Sequence, residues 1–137
     1  VDADVWSATS FNELRRDGLI TSRWNMLHPE ETPRQSFVEE CLEGAKGPVV
    51  ASTDYMKSYA DQIREFISGT YTVLGTDGFG RSDTRERLRH FFEVDRYFIV
   101  VAALTALVED NVVDVGQVAA AIKKFGIDPE KVNPALS

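Results

Sequence analysis

Residues 77 to 89 contain the side chains that are best suited to binding an anion. Gly78 and Gly80 lie in a turn before a predicted helix, where backbone N–H groups and the positive helix end can bind a phosphate. Arginines follow at positions 81, 85, 87 and 89, and a guanidinium group can hold a carboxylate or phosphate with two hydrogen bonds. The candidate interface or anion contacts are Asp77, Gly78, Phe79, Gly80, Arg81, Arg85 and Arg89.

The spacing of the glycines argues against a nucleotide site. It fits neither Gly-x-x-x-x-Gly-Lys nor Gly-x-Gly-x-x-Gly, and the Asp-Gly-Phe-Gly segment lacks the other kinase motifs. We therefore interpret residues 76–80 as a tight strand-to-helix turn at a domain or subunit contact. The sequence leaves two roles open for the arginines, since they either pair with Asp83, Glu86 and Glu93 on a solvated surface or bind an acidic partner.

Other catalytic chemistries find no support in the residue pattern. His28 and His90 lie outside any metal-ligand spacing such as His-Glu-x-x-His, and we predict structural roles for both. Ser22, Ser52 and Ser82 lack the Gly-x-Ser-x-Gly context of a hydrolase nucleophile. We therefore predict no catalytic, cofactor-binding or metal-binding residue in this chain.

Length and composition indicate a single globular domain. The chain has 137 residues, 43% of them hydrophobic, and a formal net charge of −7, which argues against binding nucleic acid. The longest apolar run, residues 97–108, is too short to span a bilayer and predicts a buried helix instead. Cys41 is the only cysteine, so no disulfide forms within the chain, and a cytoplasmic location fits.

Short apolar runs alternate with amphipathic stretches, as in an α/β fold. We predict strands at residues 3–8, 48–52 and 71–75, with helices between them that make the neighbouring strands parallel. Ser10 and Glu13 predict a capping box for a helix that ends near Gly18. A second helix is expected to begin at Thr32-Pro33, and a third to carry one apolar stripe from residue 55 to 67.

The last third of the chain is predicted to be helical. Asp83 with Glu86 indicates a capped start, and the apolar helix of residues 97–108 follows. Asp114 with Gln117 indicates the start of a final helix, which Gly126 should end in the left-handed conformation.

Several ordered motifs carry a family resemblance. Trp6-Ser7-Ala8-Thr9-Ser10-Phe11-Asn12-Glu13, Arg23-Trp24-Asn25-Met26-Leu27-His28-Pro29, Ala51-Ser52-Thr53-Asp54-Tyr55-Met56-Lys57 and residues 74–85 resemble the C-terminal region of the homodimeric bacterial pyruvate dehydrogenases. The ending Lys131-Val132-Asn133-Pro134 resembles that region too. Together these segments cover essentially the whole chain.

The resemblance implies a three-layer α/β domain of the transketolase C-terminal type with a mostly parallel sheet. It also implies that thiamine diphosphate and Mg²⁺ bind to other domains of a longer, homodimeric protein, with none in this chain. The implied partners are those domains, the second subunit and the dihydrolipoyl acetyltransferase component. Domains of this family usually begin with one more strand and helix, and Val1 stands where an initiator methionine would, so we expect residues 1–137 to be one N-terminally truncated domain.

Three functional hypotheses follow. In the first, the chain is a catalytically silent part of a pyruvate dehydrogenase that serves assembly and interdomain packing. In the second, its basic segment from Arg81 to Arg89 docks an acidic partner protein. In the third, it is a small α/β enzyme with an anion site at Gly78, although no nucleophile or base is evident beside that turn.

Overall fold

A computed structural model describes residues 2–137. Helices and a small sheet alternate along the first two thirds, and the last third is helical. Within the described residues the elements are α1 (Phe11–Leu27), α2 (Phe37–Cys41), β1 (Val49–Ser52), α3 (Lys57–Asp61), β2 (Tyr71–Leu74), α4 (Arg85–Phe91), α5 (Arg96–Glu109) and α6 (Val115–Phe125). Short 3₁₀ turns lie at Arg64–Phe66 and Pro134–Leu136.

The sheet has two parallel strands, which confirms the predicted α/β class and the strands at residues 48–52 and 71–75. Val49 lies opposite Tyr71, and the pairing continues to the end of both strands. Because side chains alternate along a strand, one face presents Val49, Ala51, Tyr71 and Val73 to a core built around Val38, Ile63 and Phe66. Helix α5 contacts both strands, and the Ser52 hydroxyl, on the opposite face, donates to the Val94 carbonyl just before it at 3.0 Å. Helices therefore cover both faces of the sheet.

The predicted strand at Ala3–Ala8 is wrong. The segment has no paired neighbour, and Val5 and Trp6 are 94% and 63% exposed. A strand needs an adjacent strand to satisfy its backbone N–H and C=O groups, whereas β1 pairs with β2 alone among the described residues. The segment has the residue types of a strand, but without an adjacent strand to pair with it stays outside the sheet.

Helix α1 begins as predicted but runs past Gly18 to Leu27. The Ser10 hydroxyl accepts from the Glu13 N–H at 3.3 Å, which is one half of the predicted capping box, whereas the Glu13 carboxylate contacts Arg16 at 3.4 Å. Gly18 is buried inside the helix, where the Phe66 ring occupies the space that a side chain would fill. The glycine therefore permits a close packing contact, and the prediction that it ends the helix is wrong.

Helix α2 begins later than predicted. The Asn25 amide donates to the Arg34 carbonyl at 2.9 Å and its oxygen accepts from the Arg34 N–H at 2.8 Å. These two bonds hold the backbone that was expected to start a helix at Pro33. Ser36 and Glu39 form the capping box instead, with a 2.7 Å bond from the Ser36 N–H to Glu39 Oε2.

The predicted single helix over residues 55–67 is divided into α3 and a 3₁₀ turn. The Tyr71 hydroxyl donates to the Ala60 carbonyl at 2.8 Å, and the Gln62 amide donates to the Tyr59 carbonyl at 2.7 Å. Both carbonyls would otherwise accept the next helical N–H groups. One tertiary and one local side-chain hydrogen bond thus occupy these carbonyls where the apolar periodicity alone predicts a continuous helix.

Burial raises the pKa of Tyr71 to about 12. In the unfolded chain the phenol loses its proton near pH 10, so between these pH values the folded state binds more protons and stability falls as pH rises. We expect Tyr71→Phe to lower the free energy of unfolding by about 1 kcal/mol at neutral pH, because the Ala60 carbonyl loses its donor. The difference from wild type should shrink as pH rises above about 10. Urea unfolding of wild type and Tyr71→Phe at neutral pH and above about pH 10 measures these free energies. A difference between the two proteins that stays constant with pH would contradict the prediction.

The helical C-terminal third largely follows the sequence. Asp114 and Gln117 form the predicted capping box, and Gly126 has φ 65° at the end of α6. Helix α4 is capped by Thr84 rather than by the predicted Asp83, whose carboxylate accepts from the Thr84 N–H at 2.7 Å. The expected full burial of residues 97–108 is only partly met, because Ala106 and Leu107 are buried while Val100 is 41% exposed.

No helix among residues 2–137 combines the length and the apolar character needed to cross a bilayer.

Candidate functional site

The turn at residues 75–80 follows the carboxyl end of β2 and contacts the loop that follows the carboxyl end of β1. The Thr76 N–H donates to the Tyr55 carbonyl at 2.9 Å, and the Lys57 N–H donates to Asp77 Oδ1 at 3.1 Å. Gly75 is buried so closely that a Cβ there would lie 2.7 Å from the Lys57 nitrogen. The turn is therefore fixed to the loop that follows β1, and Asp77 already has a donor within the chain.

Gly78 connects the same turn to the C-terminal tail. Its φ is 115°, and a Cβ built on it would lie 2.1 Å from the Pro134 carbonyl oxygen. Gly80 differs, since a Cβ there would meet nothing within 4 Å. Phe79 lies between them with 79% of its surface exposed. The geometry gives this segment the role of a three-way joint between two loops and the tail, which we name the 75–80 joint.

The arrangement of a phosphate-binding loop is not formed here. Helix α4 begins at Arg85, so four residues separate it from Gly80, and the helix is only seven residues long. The first helical N–H groups are also occupied in part, because the Thr84 hydroxyl accepts from the Arg87 N–H at 3.4 Å. This geometry supports the structural interpretation of the glycines.

Arg89 is bound by a carboxylate that the sequence interpretation missed. Its Nη2 and Nε atoms donate to the two oxygens of Asp54, at 2.8 and 3.3 Å. The hydrogen bond from Arg89 holds the pKa of Asp54 below its usual value, aided by attraction to Arg89 and Arg85 and opposed by partial burial. The two residues are 35 positions apart, so no local spacing in the sequence pairs them.

The other predicted arginine pairs are only partly formed. Arg87 lies 3.9 Å from Asp83, whereas Glu93 binds Lys131 at 3.1 Å instead of an arginine. Arg85 makes no ion pair within 4 Å in the described part of the chain. The arginines of the basic segment are all exposed, and Arg85 differs from Arg87 and Arg89 in having no ion pair among the described residues.

Arg81 lies over an aromatic ring at the side of α4. Its guanidinium carbon is 4.1 Å from the centroid of Phe91, and Nη2 donates to the Ser137 hydroxyl at 3.3 Å. An open hollow of about 270 Å³ lies beside it. The hollow is lined by Arg81, Ser82, Asp83, Arg87, Leu88 and Phe91. Charges of both signs line it, so it gives no strong preference for an anion.

Both histidines have structural contacts. His28 stacks on Trp24 with ring centroids 4.3 Å apart. The guanidinium carbon of Arg34 also lies over the Trp24 ring, 3.6 Å from its centroid. His90 Nδ1 lies 2.8 Å from Asp95 Oδ2, beside the start of α5. No three His, Cys, Asp or Glu side chains gather into a possible metal site among residues 2–137.

The Asp54–Arg89 pair gives a test of the electrostatics. We expect Asp54→Asn to lower the free energy of unfolding by less than about 1 kcal/mol at neutral pH, because exposed pairs are weak. The pKa of Asp54 is lowered, so this contribution is present above its unfolded pKa near 3.9 and is lost as pH falls below it. Urea unfolding across that range measures the loss. Asp4→Asn, at an exposed position, is the control, and an equal change in both variants would refute the link to Arg89.

Comparison with known proteins identifies a matching family and several similar proteins. The sequence profile of the transketolase-like TK C-terminal domain matches residues 1–95. The chain is 64% identical to the pyruvate dehydrogenase E1 component of Pseudomonas aeruginosa over 98% of its own length. It is 57% identical over 98% of its length to that of Cupriavidus necator, and 56% identical over 100% to that of Escherichia coli strain K12. The chain spans 15% of the length of each of these relatives.

Proposed function

The chain belongs to the transketolase-like C-terminal domain family, and we propose on that basis that it is an assembly domain of a pyruvate dehydrogenase decarboxylating component. The observation that carries the proposal is the 64% identity to such a component across 98% of the chain. The longer protein would decarboxylate pyruvate and transfer the acetyl unit to a lipoyl group. That is an oxidoreductase step linking glycolysis to later metabolism.

The cofactors of this reaction belong, in the proposal, to the remainder of the longer protein. Thiamine diphosphate supplies the carbanion chemistry when it is bound, and Mg²⁺ holds its diphosphate. Neither is assigned to this chain in the proposal, and the described residues contain no cluster of three or more His, Cys, Asp or Glu side chains that could hold a metal ion. The proposal also includes a cytoplasmic homodimer that works with a dihydrolipoyl acetyltransferase component.

The role of this chain is to pack and to position. The 75–80 joint ties both strand ends to the C-terminal tail, and Arg89 is bound by Asp54 rather than directed at a ligand. Such contacts stabilise a domain and give it a fixed surface for its neighbours. The proposed contacts to those neighbours are the exposed members of the candidate set, above all Phe79, Arg81 and Arg85.

The domain is proposed to be a single unit whose sheet continues beyond residues 1–137. Two observations support this: among residues 2–137 β1 is paired on one side alone, and the exposed segment at Ala3–Ala8 has strand propensity without a neighbour. A strand and helix from preceding sequence would cover this edge. The exposed apolar residues Val5 and Trp6 would then gain packing partners.

A second candidate function, partner docking through the basic segment, rests on Arg85. Its guanidinium has no carboxylate partner in the described residues, unlike that of Arg89. Salt-sensitive binding of the dihydrolipoyl acetyltransferase component that is lost in Arg85→Ala would support docking. Arg87→Ala, which removes a neighbouring exposed arginine, is the control, and binding that is unaffected by salt would count against it.

The full-length protein tests the main proposal. We expect pyruvate-dependent reductive acetylation of a lipoyl domain that requires thiamine diphosphate and Mg²⁺. A truncated protein lacking residues 1–137 should lose dimer assembly in sedimentation. Activity with 2-oxoglutarate in place of pyruvate would contradict the substrate assignment. An intact dimer without residues 1–137 would contradict the assembly role.

A further inference from the structure

Helix α1 has a second face that the core does not use. Its inner face carries Phe11, Leu14 and Gly18, which pack toward the Phe66 cluster, and Asp17 accepts from the Phe37 N–H at 2.7 Å. The opposite face carries a continuous stripe at helical spacing. This outer stripe of α1 consists of Arg15, Arg16, Leu19, Ile20 and Arg23, and it borders a shallow groove of about 540 Å³.

The outer stripe combines exposed apolar surface with unpaired charge. Leu19 and Ile20 are 44% and 61% exposed at its centre. Arg15 and Arg23 make no ion pair within 4 Å among residues 2–137, and Arg16 has one exposed bond to Glu13 at 3.4 Å. In a chain of net charge −7 this is a local basic surface around an apolar centre. A surface of this kind is typical of a protein contact.

The stripe also has the ridges that another helix needs. Arg15, Leu19 and Arg23 form one row at spacing of four residues, and Arg16 and Ile20 form the adjacent row. The groove between such rows receives the corresponding ridge of a second helix, with a crossing angle of roughly −50°. A complementary ridge has an apolar residue over Leu19 and a carboxylate four residues to each side.

A second copy of this chain does not supply that ridge. A two-fold contact through the stripe would place arginines against arginines. Among residues 2–137, no helix carries an apolar residue with a carboxylate four positions away on both sides. The helices of the described residues therefore offer no match for the stripe.

We propose that the outer stripe of α1 docks an acidic amphipathic helix that belongs to the remainder of the same longer polypeptide. This inference rests on the proposed function, which makes the chain one domain of a larger subunit. The chain spans 15% of the length of its relatives, so most of a subunit of that size is available to provide the helix. Attachment to the same polypeptide gives the contact a high effective concentration.

The test is hydroxyl-radical footprinting of the full-length protein. Labelling of Leu19 and Ile20 should be about fivefold lower in wild type than in Arg15→Glu/Arg23→Glu, because a side chain at an interface centre is shielded from solvent. Arg15→Gln/Arg23→Gln should also raise the labelling of Leu19 and Ile20. Because it removes the charges without reversing them, it controls for misfolding of the charge-reversed variant. Lys123→Glu/Lys124→Glu, an equal charge reversal on α6, should leave Ile20 protected.

Three results would overturn the inference. If Leu19 and Ile20 were labelled equally and strongly in wild type and both arginine variants, the stripe would be open to solvent. If they were equally protected in all three proteins, whatever covers the stripe would not depend on the arginine charges. Protection that disappears when the dimer is diluted to monomers would assign the cover to the second subunit. Assays of pyruvate turnover on the same samples test the proposed function separately. The footprint tests only the docking of the stripe, because it requires folded protein and no activity.

Discussion

Replacing Gly78 with alanine is expected to lower the free energy of unfolding by about 3 kcal/mol. The φ of 115° strains any residue with a side chain, and the new Cβ would lie 2.1 Å from the Pro134 carbonyl oxygen. Backbone atoms lie on both sides of this contact, so a side-chain rotation cannot relieve it. The tail must move away from the 75–80 joint, or the turn must change its conformation.

Gly80→Ala is the matched control for this prediction. The same chemical change two residues away meets nothing within 4 Å and no positive φ, so it should change stability by less than about 0.5 kcal/mol. Urea unfolding monitored by tryptophan fluorescence compares the two variants directly. Similar free energies for both would mean that the tail does not pack on the joint as described.

Gly18→Ala is expected to lower the free energy of unfolding by about 2 kcal/mol, against the usual trend. Alanine inside a helix normally stabilises it by about 1 kcal/mol relative to glycine. Here the added Cβ would lie 2.4 Å from the Phe66 ring, which is only 5% exposed and packed within the core cluster. Overpacking therefore outweighs helix propensity.

Ser22→Ala gives the comparison on the same helix. Ser22 is exposed on α1, so its replacement should leave stability within about 0.5 kcal/mol. Phe66→Leu added to Gly18→Ala should recover part of the lost stability, because the smaller side chain leaves room for the Cβ. A stabilised Gly18→Ala variant would contradict the close packing of α1 on the Phe66 cluster.

Local signals in the sequence predicted the elements that local contacts determine. The Asp114 capping box, the Ser10 half of the first box and the αL residue Gly126 depend on neighbours within four residues, and the structure confirms them. The errors lie where distant residues compete. The Tyr71 hydroxyl takes the carbonyl that would continue α3, and the Asn25 amide holds Arg34 outside α2. A periodicity argument contains no information on such bonds.

The candidate site shows the same division. Glycine spacing argued against a phosphate loop, but it did not reveal that Gly78 lies against Pro134, 56 residues later. The arginine partners were predicted from nearby acidic residues, whereas Arg89 binds Asp54. Contacts of this kind depend on how β1 and β2 bring their following loops together, which becomes visible only in the folded chain.

The central claim is that the 75–80 joint is structural and that the chemistry of the longer protein lies elsewhere. Its most direct test is a titration of the ¹⁵N-labelled chain with thiamine diphosphate and Mg²⁺, following the amide resonances of Gly78 and Gly80. We predict no saturable shift at either glycine, with inorganic phosphate giving the same result. A saturable shift at these two amides would contradict the account and make the joint a ligand site.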